Sequence, residues 1–92
     1  MKLLRKHVVA ARGLLSISQG ELAKLAGVSE TTVARFESGG KPALKDATLW
    51  EIQTALEQCG IEFQNGGRPG VRYHPDRDRR RLAPSESVKP AE

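Results

Sequence analysis

"SQGELAKLAGVSETTVARFESGG", residues 18–40, contains two short helical patterns with a glycine between them. Residues 18–21 form a capping box, with Ser18 at the cap and Glu21 three positions later. Leu22, Ala23, Leu25 and Ala26 are the inward set of a helix over residues 19–26. Gly27 ends it, because the residue after a helix often takes positive φ, which glycine tolerates. Ser29 then caps a second helix over residues 30–38. Val33 and Phe36 are its inward pair, and Gly39-Gly40 stop it. Two short helices joined this tightly must cross steeply, so that the first braces while the second projects. Ala23 is small, as close approach requires. The break builds a helix-turn-helix.

Upstream, Leu3, Leu4, Val8, Ala11, Leu14 and Leu15 recur at three and four, which predicts an amphipathic helix over residues 2–13 with Gly13 near its end. Downstream, a fourth helix starts between Asp46 and Thr48, where "TLWE" is another capping-box match. It buries Leu49, Ile52, Ala55, Leu56 and Cys59 and stops at Gly60. The period then changes. "IEFQ" (residues 61–64) and "GVRYH" (residues 70–74) alternate apolar and polar, with the turn-rich "NGGRPG" between them, which predicts two short strands in a hairpin. From Pro75, few apolar residues and much charge predict disorder. The expected organisation is residues 1–60 as a helix-turn-helix domain, 61–74 as a β-hairpin and candidate dimerisation element, and 75–92 as a basic disordered tail. The fold class is mainly α.

Composition narrows the function. The chain has 92 residues, room for one small domain that buries only about 60% of its unfolded surface, so oligomerisation would help it. Its single cysteine, Cys59, allows no intrachain disulfide, and His7 and His74 lack ligand-type neighbours. No cofactor or metal is called for, and a cytoplasmic setting fits. No apolar run approaches the ~18 residues of a membrane span. Net charge is +4: residues 1–67 carry 8 basic and 7 acidic side chains, and residues 68–92 carry 7 and 4. That surplus suits a polyanion partner. No nucleophile–base pair or phosphate loop appears, so an enzyme is not expected.

"SQGELAKLAGVSETTVARFESG" with the later "TLWEIQTALEQCGI" (residues 48–61) resembles the phage-repressor-like (Cro/C1, XRE) DNA-binding family, in the pattern SQ-x-x-LA-x-x-x-GVS followed by E-x-G. The match spans roughly residues 3–62. It implies a lambda-repressor-like domain of four helices. A strand pattern stands where many members have a fifth helix. By the same resemblance Gln19 holds the phosphate backbone, and Arg12 and Glu37 form an ion pair tying the first helix to the end of the third.

With Val33 and Phe36 inward, Thr31, Ala34, Arg35 and Ser38 face out, which in this motif means into the major groove. Arg35 is either a bidentate reader of guanine or a solvated arginine paired with Glu30 or Glu37. Thr31 and Thr32 suit a thymine methyl or a phosphate. Glu30 suits cytosine N4 or, equally, the helix dipole. Ser29, Ser38 and Lys41 join Gln19 as expected phosphate contacts. Ser29 also serves as a cap, and Lys41 could be an ordinary exposed lysine. Ile61, Phe63, Val71 and Tyr73 on the hairpin, with Trp50 on the fourth helix, are the expected dimer contacts. Trp50 alternatively packs on the hairpin within the chain. The run "RDRRR" (residues 77–81) is a solvated charge run or a phosphate-binding arm.

The resemblance implies a sequence-specific transcription regulator, a repressor acting as a homodimer on a palindromic operator in double-stranded DNA. An antitoxin-like regulator that also masks a toxin-like partner protein is the alternative. A protein-interaction module without DNA binding is the third reading.

Overall fold

The structure, a computed structural model, describes residues 2–80. Four helices, α1 (Arg5–Leu15), α2 (Gln19–Ala26), α3 (Glu30–Ser38) and α4 (Asp46–Gln58), precede strands β1 (Ile61–Gln64) and β2 (Gly70–Tyr73). The inner pair of helices begins and ends where the side chains predict. Ser18 Oγ accepts from the Glu21 amide at 3.0 Å, and the Glu21 carboxylate accepts from the Ser18 amide at 2.8 Å. Ser29 Oγ accepts from the Thr32 amide at 3.1 Å. Gly27 and Gly39 cap the two C-termini at φ 72° and 77°, in the left-handed region that glycine occupies without penalty. No helix among the described residues is long and apolar enough to cross a membrane.

Each helix sends apolar side chains into one core: Val8 from α1, Leu22 from α2, Val33 from α3, Ile52 and Leu56 from α4, all without solvent exposure. Burying such side chains is worth roughly 1.5–3 kcal/mol each. Leu14 and Leu25, expected inward, are about half exposed. At 100° per residue Leu14 sits about 75° and Leu25 about 110° from the centre of its helix's buried face, so the three-and-four spacing names them but the packing does not reach them.

One helix start differs from expectation, and another falls within its expected range but without its expected cap. Residues 2–4 are extended, and α1 begins at Arg5 because the Leu4 amide is capped by His7 Nδ1 at 3.0 Å. At its other end α1 runs through Gly13 to Leu15 and closes on Ser16, itself left-handed at φ 56°. Helix α4 begins at Asp46 with no side-chain cap. Thr48 lies inside its first turn rather than ahead of it, and Asp46 supplies the negative charge that a helix N-terminus favours.

The strands pair antiparallel in the register Ile61↔Tyr73, Glu62↔Arg72, Phe63↔Val71 and Gln64↔Gly70. Period-two alternation puts Ile61, Phe63, Val71 and Tyr73 on one face, and that face covers the helical core. His7 fastens the hairpin to α1. Its Nε2 bonds the Gln64 carbonyl at 3.1 Å, and its ring meets the Phe63 ring edge-on. With Nδ1 accepting from Leu4, the Nε2–H tautomer satisfies both partners.

Beyond the hairpin the chain stays structured further than its composition predicts. Pro75–Arg77 form a 3-10 turn, and Asp78 is fully buried. Its carboxylate accepts from Tyr73 Oη at 2.7 Å and from the Arg80 guanidinium at 2.7 and 3.0 Å. The Arg79 amide donates to the Gln58 carbonyl, one of the free acceptors at the end of α4. Gly60 makes this closure fit: its φ is 91°, and a Cβ there would lie 2.4 Å from the His74 carbonyl oxygen. Residues 75–80 are therefore structured because one buried aspartate finds two donors. The remainder of the segment expected to be disordered, residues 81–92, lies outside the described residues.

Candidate nucleic-acid interface

The projecting face of α3 is built as its spacing requires. Val33 is buried and Phe36 half-buried on the inner side. Glu30, Thr31, Ala34, Arg35 and Ser38 line one open, shallow surface on the other. Arg35 forms no salt bridge among the described residues, so the expected alternative of a pairing with Glu30 or Glu37 is not taken. Thr31 is exposed. Thr32 is less available, because it is half-buried and its hydroxyl lies 2.8 Å from that of Ser29. Ser38 donates its hydroxyl to the Arg35 carbonyl. Glu30 turns back along α2: a Cβ at Gly20 would stand 3.1 Å from its carboxylate. Gly20 thus makes room for Glu30, a relation that nothing in the local sequence pattern signals.

Behind this face lies a network that fixes its orientation. Arg12 Nε and Nη2 donate to the two Glu37 carboxylate oxygens at 2.6 and 2.7 Å, a bidentate pair. Arg12 Nη1 donates to the Ile17 carbonyl, and Gln19 Nε2 donates to Glu37 Oε1 at 2.9 Å. Burial works to raise the Glu37 pKa, but the hydrogen bonds from Arg12 and Gln19 and the attraction of Arg12 outweigh it, leaving the carboxyl below its ordinary value. The hydrogen bond from Arg12 to Glu37 holds the guanidinium pKa above its ordinary value. One carboxylate therefore joins α1, α2 and α3. Gln19, expected at a phosphate, gives an amide hydrogen to this network, and its second has no partner among the described residues. Arg5, which the sequence did not single out, donates to the Glu37 carbonyl at 3.2 Å, a cation at the C-terminus of α3 where the helix dipole favours one.

Arrangement and spacing agree with comparison. A family model described as helix-turn-helix matches residues 9–63. The chain belongs to that family. Its Cro/C1-type (XRE) members are DNA-binding transcription regulators. A relative from Pseudomonas plecoglossicida, the "HTH-type transcriptional regulator PtxS", is 42% identical over 55 residues, which are 60% of this chain. Those residues are 16% of that protein's length, so this chain spans only a small part of that relative.

The expected dimer contacts divide. Ile61 is only 3% exposed and has no surface to offer a second subunit. Phe63, Val71 and Tyr73 pack against the chain's own core. The physical reason is that four short helices leave one side of the core open, and the apolar face of the hairpin closes it. The outward side chains of the strands are polar: Glu62, Gln64 and Arg72. Trp50, at 66% exposure, does not pack on the hairpin. It borders a concavity lined by Leu3, Leu49 and Gln53.

Proposed function

We propose that this chain is a sequence-specific DNA-binding transcription regulator, a repressor that binds a palindromic operator as a homodimer. The observation that carries the reading is Arg35, an unpaired guanidinium on the exposed ridge of α3, held in place by the Arg12–Glu37–Gln19 network behind it. Arginine in that position reads guanine O6 and N7 through two parallel hydrogen bonds. Thr31 beside it suits a thymine methyl. The N-termini of α2 and α3, with Gln19 and Ser29, suit phosphates, as does the exposed Lys41. Helix α3 has 9 residues, about 13.5 Å, enough to read only a few base pairs. Two copies on two half-sites would supply the missing specificity, and Trp50, more exposed than Val9, Leu14 or Leu25, is the apolar side chain best placed to join them.

Footprinting across the DNA upstream of the chain's own coding region supplies the operator. Gel shift of Arg35→Ala against every single-base variant of that site should show a loss of about 1–3 kcal/mol and relaxed preference at one position. An unchanged preference profile would refute base reading by Arg35.

A further inference from the structure

We propose that the β1–β2 turn is a second DNA-contacting element, in which Arg68 binds the phosphate backbone beside the site read by α3; this rests on the DNA-binding reading above. The turn stands clear of the fold. A Cβ at Gly66 or Gly67 would meet nothing within 4 Å, and Arg68 is exposed. Yet its base is anchored: the Gln64 carbonyl is held by His7 and the Asn65 side chain donates to the Lys2 carbonyl at 3.3 Å. Those contacts place the turn beside the N-terminal segment. That segment in turn lines one groove with the end of the recognition helix, shared by Lys2, Arg5, Gly39 and Lys41. The result is a basic track leading from the C-terminus of α3 to the tip of the hairpin. Among the described residues none of Lys2, Arg5, Lys41 and Arg68 is in a salt bridge, and one acid, Asp46, lines the groove with them.

The other cations of this region do not share that placement. Arg72 lies within β2, opposite Glu62 in the register and away from the turn. Arg77, Arg79 and Arg80 lie after β2, at the opposite end of the hairpin, and Arg80 is held by Asp78. Position therefore distinguishes Arg68 from the basic residues that follow the hairpin. A two-stranded ribbon anchored at its base and carrying at its tip an arginine in no salt bridge among the described residues matches a phosphodiester strand in charge.

Salt-titrated binding of the full-length chain to a duplex carrying its footprinted site tests this. Each phosphate contact contributes about 0.9 to the slope of log affinity against log salt. Arg68→Gln should lower the slope by about that amount, so that raising salt from about 50 to about 200 mM costs the variant roughly threefold less affinity than the wild type. Lys2→Gln should act in the same direction. Base preference should be unchanged in both, unlike Arg35→Ala. Arg79→Gln removes an exposed charge from the opposite end and should leave the slope where it was. An unchanged slope for Arg68→Gln, or an equal fall for Arg79→Gln, would overturn the assignment while leaving the function of α3 intact. A wild-type chain that protects no duplex would refute the DNA-binding reading and this one with it.

Discussion

Glu37 shows how much of the interface depends on a residue that faces away from it. Its side chain is 6% exposed, and it satisfies both oxygens with Arg12 and Gln19. Removing one partner of a buried ion pair commonly costs 3–5 kcal/mol because the other is left uncompensated. Arg12 keeps 21% of its side-chain surface in water, which softens that penalty. Glu37→Gln should therefore lower unfolding free energy by about 2–3 kcal/mol, measured by urea denaturation. A loss below about 0.5 kcal/mol would mean that the pair only tracks the helices and does not hold them. The resemblance supplied this pair from two residues 25 positions apart in the chain. Local pattern alone placed the outward face of α3 as well, since a helical period fixes direction. It could not place Thr32, Glu30 or Gln19, whose side chains are claimed by neighbours that only folding brings near. Nor could it find Arg5, because a cation in a basic N-terminal run carries no mark of the helix end it will meet.

At the scale of elements, the hairpin is where legibility stopped. Alternation correctly gave two strands and one apolar face, but alternation says nothing of what covers that face. Here it is the chain's own core, so cutting after Gly60 would strip Ile61, Phe63, Val71 and Tyr73 from the helices and unfold them, rather than merely separate subunits. Cutting after His74 would remove the clamp on Tyr73. That clamp centres on Asp78, whose pKa the hydrogen bonds from Arg80 and Tyr73 hold down to about 2 against the opposing effect of burial. A carboxyl with a depressed folded-state pKa stabilises the fold above its unfolded value, near 3.8, and loses that contribution as pH falls toward 2. The shift corresponds to at most about 2 kcal/mol, and less because a third of the Arg80 side chain remains in water. Asp78→Asn should cost about 1–2 kcal/mol at neutral pH. Its stability should also fall less steeply than the wild type's between pH ~4 and ~2. Equal slopes for the two proteins would show that the clamp is not what ties residues 75–80 to α4. Composition pointed the other way because a run of arginines and aspartates reads as solvated charge, whereas one buried aspartate with two well-placed donors orders the segment.

At the scale of the whole molecule, the homodimer proposed above requires a contact between two copies. A single α3 spans too few base pairs to single out an operator, and the hairpin's apolar face is already occupied. Trp50 remains: among the described residues it is the most exposed of the large hydrophobic side chains, and it stands beside the groove between residues 2–3 and the start of α4. Burying an indole at a subunit contact is a strong driver of association, and tryptophan is enriched where such contacts carry most of the energy. Trp50→Ala should leave the fold stable, because two thirds of that side chain's surface is already in water. It should also move sedimentation from dimer to monomer and reduce a paired footprint, with half-sites about 10–10.5 bp apart, to a single weak half-site. Trp50 is the chain's only tryptophan, so its fluorescence reports its own environment without further labelling. In the wild type, emission should shift to longer wavelength on dilution through the dimer's dissociation range, as the indole passes from an apolar contact into water. Emission independent of concentration, together with a Trp50→Ala protein that still sediments as a dimer, would place the contact on another surface.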